Sequence, residues 1–127
     1  MLKKLYLFAA VSWTLIVFSL CLIDSTEIPQ VSIVNLDKFV HAFFHFVFII
    51  LWFLCLKYQF KKTNSKKLLL VVLVLSVAYG ISIEIAQLLF TETRSADIFD
   101  VLANFTGAIL GAIVILLTKA VSSGTNK

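Results

Sequence analysis

Four stretches of this chain are too long and too apolar for the helices of a water-soluble domain: Leu5 to Ile23, Phe39 to Leu56, Leu68 to Phe90 and Ile98 to Thr118. Each approaches or exceeds the roughly 20 residues that a helix needs to cross a bilayer core of about 30 Å. Lipid offers no partner to an open backbone, so such segments close their own hydrogen bonds as helices and pack together. The implied fold class is all-α, a four-helix transmembrane bundle forming one membrane domain over residues 1–127. The connections are short, the longest running from Asp24 to Lys38, and leave no room for a soluble domain.

Charge then orients the bundle. A net charge of +4 does not point to nucleic acid here, because the lysines flank the apolar runs. With the N-terminus in the cytoplasm, Lys3, Lys4, Lys57, Lys61, Lys62, Lys66, Lys67, Lys119 and Lys127 lie inside, and only Lys38 and Arg94 outside. Nine against two predicts both termini in the cytoplasm, N-in/C-in, by the excess of cations on cytoplasmic loops. All seven acidic residues then fall toward the outer side, as does the single arginine. The first run is long for a signal-peptide core and no small-x-small cleavage pattern follows it, so it reads as a retained helix. Pro29 to Leu36, a semi-apolar piece of the outer connection, reads as an interfacial segment over the mouth of the bundle. Cys21 and Cys55 fall near opposite faces of an antiparallel pair, roughly 25 Å apart, so no disulfide is expected.

Polar residues inside the runs carry the functional information. His45, Glu84 and Asn104 each stand six residues inside the outer end of their helix, about 9 Å deep. His41, Gln87 and Asp100 form a shallower layer, with Asp37, Lys38 and Arg94 at the rim. On each helix the spacing keeps them on one face: Asp37, His41 and His45; Glu84 and Gln87; Asp97, Asp100 and Asn104. Faces carrying polar groups at matching depths are expected to converge. Ionisable groups are costly in a bilayer, which favours a working site over decoration.

Each residue also has a plainer reading. Asp97 is a good N-cap for the fourth helix. Glu84 can serve as a structural partner for Arg94, His41 as an interfacial side chain and His45 as a packing histidine among phenylalanines. Gln87 and Asn104 can act as hydrogen-bond glue between helices. Ala103, Gly107 and Gly111 recur every four residues, a small-residue face suited to close helix approach, within the chain or to a partner helix. His41-Ala-Phe-Phe-His45 has the spacing of two zinc ligands, with Glu84 or Asp100 as a third. The glutamate of an HExxH motif is missing, so neither a metal nor another cofactor is assigned. A histidine beside a buried carboxylate is the minimum equipment for proton transfer, which makes His41 and Glu84 the catalytic candidates.

These residues resemble a known family. Asp37-Lys38-x-x-His41 opening the second helix, Glu84-x-x-Gln87 ending the third, Arg94 in the loop, and Asp100-x-x-x-Asn104-x-x-Gly107-x-x-x-Gly111 are similar to the pattern of the VanZ-like membrane proteins. The resemblance covers about residues 35 to 112, and His45 is not one of the positions in its pattern. It implies a multi-pass protein of the bacterial cytoplasmic membrane, in a family whose name-giving member is associated with low-level teicoplanin resistance. The expectation is an outer-leaflet site for an anionic cell-envelope lipid or lipid-linked precursor, with Asp37, Lys38, Gln87, Arg94, Asp100 and Asn104 as ligand-binding residues. Two alternatives remain open: a hydrolase or transferase acting on such a lipid, and a non-catalytic scaffold meeting partners through Gly107 and Gly111.

Overall fold

The computed structural model describes residues 1–23 and 34–124. It contains four helices: α1 (Leu2–Cys21), α2 (Leu36–Gln59), α3 (Ser65–Phe90) and α4 (Ile98–Gly124). All four are long and apolar enough to cross a membrane. The expected interfacial segment lies mostly outside the described residues.

The helices overrun the apolar stretches that announced them. Hydropathy falls at the first lysine, but the backbone ladder continues until a cap or a loop stops it. Asn64 accepts a hydrogen bond from the Lys66 amide, so α3 begins three residues before Leu68. At the other end of α3, the Thr91 hydroxyl donates to the Gln87 carbonyl and closes the last turn. Asp97 caps α4 as expected, its Oδ1 accepting from the Phe99 amide at 2.8 Å. At the head of α2, Asn35 takes a left-handed conformation with φ 59°, which asparagine tolerates better than most residues.

α2 packs against each of the other helices, whereas α1 and α4 do not touch among the described residues. Glycines set the distance between α2 and α4. A Cβ on Gly107 would overlap the Ala42 carbonyl, and one on Gly111 would stand 3.0 Å from the Phe46 carbonyl oxygen. Gly107 facing Ala42 and Gly111 facing Phe46 make α2 and α4 a parallel pair in steady register. The small-residue face that could have met a partner is therefore filled by α2 of the same chain. Below it, Ile49, Phe53, Leu68, Val72, Ala108 and Ile115 form the apolar core of α2, α3 and α4.

α1 is held by a separate set of contacts. Val17 and Cys21 pack on Ile83, flanked by Trp13, Phe44 and Tyr79. Trp13 Nε1 donates to the Phe44 carbonyl at 3.0 Å, Trp52 Nε1 to Thr14 Oγ1 at 3.0 Å, and the Tyr79 hydroxyl to the Thr14 carbonyl at 2.5 Å. Hydrogen bonds of this kind take over where the hydrophobic effect cannot drive association, since lipid is as apolar as leucine. Thr14→Val keeps the shape and removes one acceptor. It is expected to destabilise the bundle by about 1 kcal/mol, read as an earlier transition when the detergent-solubilised protein is titrated with sodium dodecyl sulfate.

The exterior fits the same solvent. Along α3 alone, Leu70, Val74, Ile85, Leu88, Leu89 and Phe90 are each more than half exposed. An apolar surface on this scale is stable only against hydrocarbon. Cys21 and Cys55 are both free and buried.

Candidate functional site at the polar end of the bundle

The amino ends of α2 and α4 stand side by side beside the carboxyl end of α3, and the polar faces of the three helices meet there. His41, Glu84, Asp100 and Asn104 are all buried, at 8% exposure or less. The expected convergence is thus present for these four residues, while the others are distributed around them.

Lys38 is the knot between α2 and α4. Its Nζ lies 2.9 Å from Asp37 Oδ2, 3.0 Å from Asp97 Oδ2 and 2.8 Å from Asp100 Oδ1. The hydrogen bond from Lys38, followed by that from the Phe99 amide, holds the Asp97 carboxyl below its ordinary range. Three carboxylates around one ammonium leave Lys38 little positive field for an outside anion. Asp37 itself stays exposed at the rim.

Beneath the knot, Asp100 turns its second oxygen to His41, with Oδ2 3.7 Å from Nε2. On the other side of the ring, Nδ1 lies 3.1 Å from Asn104 Oδ1. An amide oxygen only accepts, so in this contact Nδ1 is the donor, and Nε2 is the nitrogen that faces Asp100. Asp100 and Asn104, four residues apart on α4, therefore grip the two nitrogens of one ring.

Glu84 reaches up from α3 toward the start of α4. Its Oε2 accepts from the Asp97 backbone amide at 3.0 Å, and its Oε1 is buried with no hydrogen-bond partner among the described residues. The structural pairing envisaged with Arg94 does not form: among the described residues Arg94 makes no ion pair. Arg94 lies in the α3–α4 loop, where its backbone carbonyl accepts from the Thr91 hydroxyl at 3.3 Å. Gln87 turns toward α1, donating from Nε2 to the Cys21 carbonyl at 2.8 Å. It acts as glue between α3 and α1.

One turn below His41 is a second polar layer that spacing only half revealed. His45 Nδ1 lies 2.7 Å from Ser76 Oγ, and its Nε2 is buried without a partner. Asn104 Nδ2 is likewise unpartnered and buried. Gly80 makes room for both, because a Cβ there would stand 2.9 Å from Asn104 Nδ2 and 3.3 Å from His45 Cε1. Ser76, Gly80 and Asn104 also line a cleft of about 300 Å³ between α3 and α4, otherwise walled by Val77, Val101, Leu102 and Phe105. Ser76 and Gly80 carry no polar signal that stands out in an apolar run, yet they precede Glu84 at intervals of four on the same face of α3.

Chemically, the arrangement provides an imidazole held at both nitrogens, a carboxylate oxygen without a partner among the described residues, and a second carboxylate fixed by lysine. These are parts for moving a proton or holding a cation. Against known proteins, the family model described as VanZ/LLP1 matches residues 3–119. Neither a curated protein nor a solved structure matches the chain. A match over nearly the whole length shows that the chain belongs to the VanZ/LLP1 family.

Proposed function

With membership of the VanZ/LLP1 family as the premise, we propose that this multi-pass membrane protein binds the anionic head of a cell-envelope lipid or lipid-linked precursor at its polar end. The observation that carries the reading is the unpartnered Glu84 Oε1, buried beside His41 and Asp100. A buried polar atom without a partner is costly, by about 1–3 kcal/mol, and its retention at the end of a membrane bundle favours a ligand whose head group brings it a donor, such as a hydroxyl, beside the phosphate. The lipid tail stays in the bilayer while the head meets the cluster. Arg94, rather than the enclosed Lys38, is the contact for a phosphate, which a guanidinium can grip with two parallel hydrogen bonds.

The test is to incubate the purified protein with envelope lipid extract and identify what it retains by mass spectrometry. One class of phosphate-bearing lipid is expected to co-purify with the wild type, and Arg94→Ala should lose most of it without changing the helical content. Equal retention by both proteins would refute the assignment.

A specific observation also favours the catalytic alternative. His41 has one nitrogen pinned as a donor and the other facing a carboxylate, the arrangement used to orient an acid–base imidazole. A lipid recovered with altered mass would select a hydrolase or transferase, and recovery unchanged would select binding.

The site lies at the outer leaflet of the bacterial cytoplasmic membrane, with both termini in the cytoplasm. The distribution of lysines supports this orientation. A reporter that works only in the cytoplasm should be active when fused at Lys127, and a cysteine placed at Asn64 should resist impermeant reagents added from outside. Labelling at that position would invert the topology and put the polar end in the cytoplasm.

A further inference from the structure

We propose that His41, Glu84 and Asp100 together bind a divalent transition-metal cation, of the class of Zn²⁺, Mn²⁺ or Co²⁺. One ligand atom from each of these residues lies within 4.8 Å of the other two. They come from three different helices, so the bundle itself brings them together. The set differs from the one suggested by sequence spacing, because His45 is turned to Ser76 and takes no part.

Three independent features prepare this cluster for a cation. The first is the ring of His41, whose Nδ1 is held by Asn104 Oδ1 so that Nε2 is directed at Asp100. Metal-binding histidines are commonly fixed in this way by a partner on the second nitrogen. The second is Asp100, which receives Lys38 on Oδ1 and turns Oδ2 to His41. The third is Glu84, whose buried Oε1 has no hydrogen-bond donor among the described residues.

Charge points the same way. Asp37, Glu84, Asp97 and Asp100 carry four formal negative charges, and Lys38 supplies one positive charge against them. The amino ends of α2 and α4 each add about half a positive charge and the carboxyl end of α3 about half a negative one, leaving roughly two to three negative charges in excess. A dication matches that excess. Two carboxylate oxygens and one imidazole nitrogen suit borderline transition ions better than Mg²⁺ or Ca²⁺, which favour all-oxygen sets. Bond lengths of about 2.0–2.2 Å require the three ligand atoms to draw together from their present spacing. The His41–Asp100 pair, at 3.7 Å, is already close.

Three protein ligands leave coordination positions for water or for a phosphate oxygen. The cation would thereby convert an acidic cluster into one that attracts an anionic head group. That use rests on the lipid reading above, whereas the cation site stands without it.

The experiment uses the full chain in detergent, stripped with a chelator and dialysed, with Zn²⁺, Mn²⁺ and Co²⁺ as probes and no lipid present. Calorimetric titration should show one saturable equivalent per chain. Bound Co²⁺ should give visible absorption bands of nitrogen and oxygen ligation in the wild type, a readout that depends on no variant. Asp100→Asn and His41→Ala should abolish saturable binding, whereas His45→Ala should retain it. Asn104→Ala, which removes only the group positioning His41, should weaken binding by about 10- to 100-fold. Absence of a saturable equivalent, or binding equally strong in Asp100→Asn and wild type, overturns the proposal. Because lipid is absent, these results are independent of lipid retention. Loss of lipid with intact cation binding would instead refute the lipid reading alone.

Discussion

Gly107→Leu is expected to leave almost no folded protein in the membrane. Overpacking a core ordinarily costs about 1–3 kcal/mol, because neighbouring side chains turn aside to make room. At Gly107 the obstacle is the backbone carbonyl of Ala42, which cannot turn aside without unwinding α2. The two helices must therefore separate along the seam that aligns Lys38 with Asp100 and His41 with Asn104. Even Gly107→Ala should lower the yield of monodisperse protein sharply. Gly111→Ala should be milder, since its Cβ would stand 3.0 Å from the Phe46 carbonyl oxygen and 3.2 Å from Ile49 side-chain atoms. Size-exclusion profiles of the two alanine variants, expressed side by side, check the order. Equal tolerance would mean that α2 and α4 are not in the close register described above.

The second large effect is at Glu84. Glu84→Gln retains a carbonyl oxygen for the Asp97 amide, so membrane levels should remain near normal. It removes the negative charge and puts hydrogens where Oε1 has none, so both lipid retention and cation binding should disappear. A strain carrying it should also fail to regain the function lost on deletion of the gene. Glu84→Ala leaves the Asp97 amide unpaired at the start of α4, at a cost of about 1–3 kcal/mol, and should lower abundance as well. Breaking a buried ion pair would cost more, about 3–5 kcal/mol. The smaller figure applies because Glu84 is anchored by a backbone amide and not by a cation. Immunoblots of membrane fractions separate the two variants. Full retention of lipid and metal by Glu84→Gln would remove this carboxylate from the site.

The four spans and the meeting of three polar faces were legible from the sequence because both depend on quantities that spacing fixes. Apolar length gives the span, and steps of three and four residues give the face. Spacing does not reveal which neighbour a face will meet. Gln87 shares a face with Glu84, yet it reaches the Cys21 carbonyl on α1 while Glu84 reaches the Asp97 amide at the start of α4. Lys38 appeared free to hold a phosphate because its partners Asp97 and Asp100 lie 59 and 62 residues away. His45 sits at the depth expected for it, and at that depth the facing residues are Ser76 and Gly80. Small and singly polar positions such as these attract little notice in a run of leucine and valine.

The parallel pairing of α2 and α4 has a consequence for how the chain is built. During synthesis α2 emerges first, carrying Lys38 and His41, and the carboxylates that will hold them follow about sixty residues later. Until α4 arrives, Lys38 has Asp37 alone of its three partners among the described residues, and the imidazole of His41 has neither Asn104 nor Asp100 beside it. α3 enters with Glu84 in the same unfinished condition, because its hydrogen-bond donor is the amide of Asp97. The last helix to insert thus supplies the partners for both earlier ones. A nascent chain that stalls after α3 exposes unpaired ionisable groups in the bilayer, the kind of defect that membrane quality control can recognise.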